Sequence, residues 1–168
     1  VFAEGITSIT LTAPSDNAWI SGTYTFQATY IGNTSGNVTF YANSTVLCAD
    51  TTVGTINGTA SCSADTSTLT EGTYTIYAKA YNSSGDETAS DTSTGVKVDN
   101  TNPTISSFTI DEEIVKKFGR LTYTCTASDN MGTLTYSVVL TKPDGSTSTK
   151  TTSTGTFELD DLNIKGLY

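Results

Sequence analysis

Histidine is absent from the 168 residues, and the chain holds one Met, one Trp, three Pro and only eight Lys and Arg. Each scarcity removes a class of chemistry. Without His, Ser-His-Asp triads, His-ligated zinc and imidazole general bases cannot be assembled. Eight basic residues against 17 acidic ones, a formal charge of -9, leave no footprint for a phosphate backbone or an anionic lipid surface, so no nucleic-acid partner is expected. Apolar runs are short everywhere, far below the roughly 18 residues of a spanning helix, so no membrane span is expected in this chain. No glycine-rich phosphate loop or dinucleotide fingerprint follows a strand-like segment. The chain is therefore not expected to be an enzyme.

What is abundant is Thr, about a fifth of the chain, with Ser, Asn and Gly behind it. Threonine suits a half-buried pleated surface, and little good helix-forming material remains. Apolar residues alternate with Thr and Ser at period two, as in a strand with one buried and one wet face. The expected inward sets are Ile9, Leu11 and Ala13; Tyr24, Phe26, Ala28 and Tyr30; Val38, Phe40 and Ala42; Tyr74, Ile76, Ala78 and Ala80; and Val96 with Val98. Turns are expected at Pro14-Ser15-Asp16-Asn17, Ile31-Gly32-Asn33, Ile56-Asn57-Gly58, Glu71-Gly72 and Ser84-Gly85-Asp86. No stretch of 10 to 15 residues carries a helical stripe; the nearest, Asp111 to Phe118, reads as one turn or a charged edge. The fold class is all-β, a sandwich.

The pattern breaks at Val98-Asp99-Asn100-Thr101-Asn102-Pro103, where Pro103 holds Asn102 extended. The expected organisation is two domains in tandem, residues 1–100 and 101–168. The second opens with Ile105, Phe108 and Ile110. It continues with Leu121, Tyr123, Cys125 and Ala127, with Leu134, Tyr136, Val138 and Leu140, and with Phe157 and Leu159, and it has a hairpin turn at Lys142-Pro143-Asp144-Gly145. The acid clusters Asp111-Glu112-Glu113 and Asp160-Asp161 read as solvated faces, because neighbouring strand residues point to opposite sides.

The run Leu11-Thr12-Ala13-Pro14-Ser15-Asp16-Asn17-Ala18-Trp19-Ile20, extended to Phe26, with Glu71-Gly72-Thr73-Tyr74 and Val96-Lys97-Val98-Asp99-Asn100, resembles the tandem immunoglobulin-like domains of bacterial and archaeal surface proteins. The resemblance implies spacers, stalks and adhesive modules, with no catalytic residues. Gly166-Leu167-Tyr168 is similar to the segment entering strand F of such a domain, although Ile164 stands where an Asp is common. By that likeness Cys125 takes the strand-B position with its partner beyond the last residue, and the second sandwich is incomplete in this chain. Two explanations stay open: the chain is a fragment of a longer protein, or a neighbour donates a strand. Val1, Phe2, Ile6 and Ile9 are the expected donor residues for strand exchange with other copies.

Three cysteines leave one unpaired; Cys48 and Cys62 are expected to bond across a 13-residue Thr/Gly-rich excursion. A disulfide and the five Asn-x-Ser/Thr sequons at Asn33, Asn37, Asn43, Asn57 and Asn82 point to an extracellular glycoprotein. Val1-Phe2-Ala3-Glu4 has the small residue of a signal-peptide cut at Ala3, too little to establish one. No cofactor is expected unless Asp99, Asn100 and Asn102, with Asp129 and Asn130, share a structural calcium ion between the domains. Trp19, Tyr41, Tyr77 and Tyr81 are expected outward, as an aromatic platform for a glycan or a surface protein. The expected function is an extracellular structural or adhesion segment on a cell surface or filament, its partners copies of itself or neighbouring domains. The rivals are a pilus-like subunit assembling by donor-strand exchange and a carbohydrate-binding module of a secreted hydrolase.

Overall fold

The computed structural model describes residues 5–33, 36–54, 56–111 and 121–159, with the backbone alone at Asn33 and Leu159. The chain divides into two compact units, Val1–Asn100 and Thr101–Tyr168. Among the described residues the regular structure is all strand, apart from one 3-10 turn at Thr66–Thr68, where the Asp65 carboxylate accepts from the Ser67 N–H.

In the first unit, β1 (Gly5–Ala13), β3 (Thr23–Asn33) and β6 (Gly58–Asp65) make an antiparallel sheet in the order β1-β3-β6. The facing sheet runs β2-β8-β7-β4-β5, from β2 (Trp19–Ile20), β8 (Glu87–Val98), β7 (Gly72–Tyr81), β4 (Asn37–Ala42) and β5 (Thr45–Asp50). Only β2 runs parallel to its neighbour, along Lys97 and Val98 of β8. The alternation read from sequence fills the space between the sheets: Phe26, Ala28 and Tyr30 from β3 meet Val38, Phe40 and Ala42 from β4, Ile76, Ala78 and Ala80 from β7, and Val96 and Val98 from β8. On β8 the inward parity changes from Ser93 to Val96 at a register shift, with Gly95 in the gap.

Phe26 and Phe40 are fully buried on opposite sheets, their ring centroids 6.0 Å apart. In register, Phe26 pairs with Cys62 and Phe40 with Cys48. The two cysteines form a disulfide with Cα atoms 6.0 Å apart, so a covalent bridge between edge strands lies level with the aromatic contact between inner ones. The short loop from β5 to β6 is clamped twice more. Tyr30 Oη accepts from the Gly54 N–H at 2.7 Å, and Asp50 accepts from the N–H groups of Ser61 and Thr52 and from the Thr52 hydroxyl.

In the second unit, β9 (Thr104–Ile110), β10 (Leu121–Ser128) and β13 (Thr156–Leu159) form a sheet in the order β13-β10-β9, and β11 (Tyr136–Thr141) pairs with β12 (Thr147–Thr152). Leu121, Tyr123, Leu140 and Phe157 are buried, with Cys125, Tyr136 and Val138 against them. Lys142 and Gly145 close the β11–β12 hairpin, and Asp144 accepts from the N–H and hydroxyl of Ser146.

Three expectations need correction. Ile6 and Ile9 are not a strand held out for a neighbour: they lie on β1, paired with β3 and buried in their own core, while Val1 and Phe2 lie outside the described residues. Ile31-Gly32-Asn33 is not a turn but the end of β3, paired with Gly5 and Ile6. Gly32 permits that pairing, since a Cβ there would stand 2.7 Å from the Gly5 carbonyl oxygen and the Thr7 nitrogen. Cys48 and Cys62 sit within strands, not at the ends of a long excursion. Ile105, Phe108 and Ile110 form the expected strand; among the described residues β9 is an edge strand, and the three side chains are 67%, 52% and 48% exposed. Asp111 also has a local role, its carboxylate accepting from the Thr122 N–H. Glu112, Glu113, Asp160, Asp161, Ile164 and Gly166-Leu167-Tyr168 lie outside the described residues.

Replacing Cys48 and Cys62 together by Ser lowers the stability of the first unit by about 3 kcal/mol, the loop-entropy value for a ring of this size, in urea unfolding followed through Trp19 fluorescence. Burial pushes the Asp50 carboxyl up, but its bonds from Ser61 and Thr52 outweigh this and hold it below its ordinary value. A depressed carboxyl stabilises the fold above the pKa of the unfolded chain and ceases to do so as pH falls through the folded value. Asp50→Asn is therefore less stable at neutral pH, and its unfolding midpoint falls less steeply than the parent's below about pH 4.

Candidate functional site

The outer face of the five-stranded sheet follows from the inner one. With Val38, Phe40 and Ala42 inward, β4 turns Asn37, Thr39 and Tyr41 outward; with Ile76, Ala78 and Ala80 inward, β7 turns out Tyr77, Lys79 and Tyr81. The register pairs Tyr41 with Tyr77, Thr39 with Lys79 and Asn37 with Tyr81. Tyr41 and Tyr81 start four residue pairs apart, yet their hydroxyls meet at 2.9 Å over the Thr39–Lys79 row between them. Thr39 beneath them is only 7% exposed despite facing outward. Lys79 Nζ lies 2.8 Å from the Glu87 carboxylate and about 6 Å from the Tyr41 and Tyr77 ring centroids, so its charge is matched on the spot. Burial, then the hydrogen bond shared with Tyr41 and the nearby negative potential of Tyr41 and Glu87, push the Tyr81 hydroxyl up to about 12.

Beside the tyrosine pair lies an open groove of about 630 Å³. Thr39 and Asn37 form its floor, Tyr41 and Tyr81 one wall, Thr51 after β5 the other, and the β7–β8 turn at Asn82 and Ser83 its rim. The rim is rigid because the Asn82 side-chain oxygen accepts from the N–H groups of both Ser84 and Asp86. Gly36 closes the end of the groove against the backbone of Tyr81; any Cβ there would collide with the Tyr81 carbonyl.

The four aromatic residues singled out from sequence do not form one platform. Tyr41, Tyr77 and Tyr81 share one region, whereas Trp19 on β2 is paired with Lys97, whose ammonium stands 4.6 Å from the indole centroid. Lys97 pairs with Thr73, four residues along β7 from Tyr77, or about 13 Å. Trp19 is 47% exposed, an edge residue covered by a cation rather than by core.

The sequon asparagines occupy turns or strand ends. Asn43 and Asn57 are exposed, with positive φ, and use their side-chain oxygens to accept from the N–H groups of Thr75 and Gly32, which leaves the nitrogen that a glycan would occupy directed away from those bonds. Asn37 and Asn82 line the groove; the side chain of Asn33 lies outside the described residues. The joint asparagine is structural: Asn100 accepts from the Gly22 N–H at 2.7 Å and donates to the Thr66 carbonyl, tying the end of β8 to the buried Thr66. Asp129 accepts from the Met131 N–H as a turn residue. Among the described residues, no three or more Asp, Glu, Cys or His side chains gather into a group able to hold a metal ion.

The second unit contains a cleft of about 420 Å³, lined chiefly by Ile105, Phe108, Cys125, Tyr136, Val138 and Phe157, with no charged side chain among the described residues of its lining. Phe108 stacks on Tyr123 with centroids 5.8 Å apart. Cys125 is a free thiol, half-buried on the cleft side of β10. The cleft was not legible as such: alternation marks which residues are apolar, not which of them remain uncovered.

Removing the Tyr41 hydroxyl tests the tyrosine pair. In Tyr41→Phe the titration of Tyr81, followed through its ring-carbon resonance, moves down from about 12 toward the ordinary phenol value of 10.0. With a raised folded value, the stabilisation holds below the pKa of the unfolded phenol and is lost as pH rises through the folded one. The parent therefore loses more stability than the variant across that alkaline interval.

Among the described residues, no helix is long and apolar enough to cross a membrane. No curated protein matches the chain. Residues 8–78, from β1 into β7, match the family model of the bacterial Ig domain. Over residues 8–78 the first unit is thus similar to a bacterial immunoglobulin-like domain, and its two facing sheets have the corresponding sandwich architecture.

Proposed function

We propose that the chain is a non-catalytic, extracellular segment of a surface protein that spaces modules and joins them through its second unit. The observation that carries this reading is the uncharged apolar cleft beside β9. Its occupant is a β-strand from another immunoglobulin-like module, with apolar side chains on alternate positions. Among the described residues β9 pairs only with β10, so its outer edge offers backbone donors and acceptors to such a strand. Ile105 and Phe108 supply apolar surface next to that edge, and β9 itself carries no charge to oppose an incoming strand.

Charge favours the same face. The first hundred residues carry nine acidic and two basic side chains, the remainder eight and six, so repulsion between copies is weakest through the second unit. The disulfide suits an oxidising compartment, and the exposed sequons at Asn43 and Asn57 suit a glycosylated surface.

For the purified chain the only other module is a second copy. Light scattering over a wide dilution series gives a mass that rises with concentration toward multiples of 17.6 kDa. Ile105→Ser with Phe108→Ser, both at exposed positions, returns it to the monomer without changing the unfolding of the first unit. A parent chain that stays monomeric at every concentration overturns the assembly reading.

A further inference from the structure

We propose that the groove between β4, the end of β5 and the β7–β8 turn is a binding site for a neutral saccharide. It belongs to the first unit and is independent of the cleft in the second.

The chemistry of the lining selects the ligand. Asn37, Thr39, Tyr41, Thr51, Tyr81 and Asn82 bring amides and hydroxyls and no formal charge, and the nearest cation, Lys79, is held by Glu87 at 2.8 Å. Nothing in the lining attracts a phosphate or a carboxylate, and no carboxylate there takes a cation. A purely apolar ligand would strip water from these polar groups without replacing their hydrogen bonds. A sugar matches them, because each of its hydroxyls both donates and accepts.

The tyrosine pair has the corresponding capacity to spare. One of the two hydroxyl hydrogens is used in the 2.9 Å bond between them, leaving the second hydrogen and free lone pairs for a ligand. The rings offer apolar surface for the C–H face of a pyranose. The floor and rim are already in place. Thr39 is held beneath the pair, and Asn82 is fixed by Ser84 and Asp86, so binding orders few side chains. A volume of about 630 Å³ suits one to three sugar rings, and the open shape implies weak, readily reversible binding.

Asn37 and Asn82, both in the lining, are themselves sequon asparagines. The saccharide can thus come from another molecule or be a glycan carried by this chain, and two arms of one experiment separate these sources. In the first arm, unglycosylated chain from a bacterial host, labelled with ¹⁵N, is titrated with mannotriose and with triacetylchitotriose. The expected result is saturable shifts centred on the amides of Asn37, Thr39, Tyr41, Tyr81 and Asn82 for at least one sugar, with Kd on the order of 1 mM. Tyr81→Phe keeps the ring and removes the shared hydroxyl; it weakens binding by about tenfold while the thermal midpoint changes little. Thr51→Val, on the opposite wall and outside the strands, weakens binding without touching the tyrosine pair and serves if Tyr81→Phe fails to fold.

In the second arm, chain from a glycosylating host is compared before and after enzymatic release of its glycans. The same amides shifted before release and restored after it assign the site to the chain's own glycan. Unshifted amides that respond to added sugar assign it to an outside one. The proposal is overturned if neither sugar gives a saturable shift in the unglycosylated chain. It is equally overturned if the shifts centre on Trp19 or persist undiminished in both variants.

Discussion

Phe26 and Phe40 face one another from opposite sheets, and most of what the first unit does traces back to that contact. Each has a cysteine as its cross-strand neighbour, so the covalent bridge and the aromatic contact occupy one layer of the sandwich. Buried aromatics of this kind are among the costliest side chains to remove, at about 3–5 kcal/mol for Phe→Ala. The layer also fixes parity. Once Phe40 points inward, Thr39 and Tyr41 must point outward, and the β4–β7 register then decides that Tyr41 meets Tyr81. The hydroxyl pair on the surface is therefore a consequence of the core, positioned by a strand rather than by a mobile loop.

The second unit shows what happens when the inward set is only partly covered. Among the described residues four buried side chains hold it together, and the large apolar residues of β9 are about half or more exposed. Small units bury a lower fraction of their surface than large ones and gain more from whatever covers them. Among the described residues this apolar surface lies beside a sheet edge with no Lys or Pro within β9 to blunt it, the feature on which the proposed association rests. The polar groove of the first unit has the opposite character. It keeps its water, and its ligand has to replace hydrogen bonds rather than apolar contacts.

Much of the first unit was legible because its strands are wet on one side. Phe26, Ala28, Val38, Phe40, Ile76, Ala78, Val96 and Val98 all lie where period two puts them. Strands without that contrast were missed. Thr45–Asp50 runs Thr-Val-Leu-Cys-Ala-Asp with no alternation, and Thr147–Thr152 has no apolar residue at all; both are edge strands, the first held by its hairpin partner, its disulfide and the partly buried Leu47, the second by its hairpin partner. Gly32 misled in a different way, since a residue that usually marks a turn serves here to let two backbones approach. The groove needs the β4–β7 register, which pairs residues forty apart and leaves no local trace. Asn37 and Asn82 were visible as sequons, but not as two sides of one depression.

The bridge between Cys48 and Cys62 has a mechanical side. Fourteen peptide steps separate the two residues, yet their Cα atoms stay 6.0 Å apart whatever happens to the sheets. If tension along the chain pulls the first unit open, the intervening β5–β6 segment cannot pay out as extended chain, and the released length is shorter by roughly 40–45 Å, at 3.3–3.6 Å per step less the span of the bridge. A stalk built from such units would yield under load in shorter strides than its residue count implies, with the length of each stride set by the redox state of one pair of sulfur atoms.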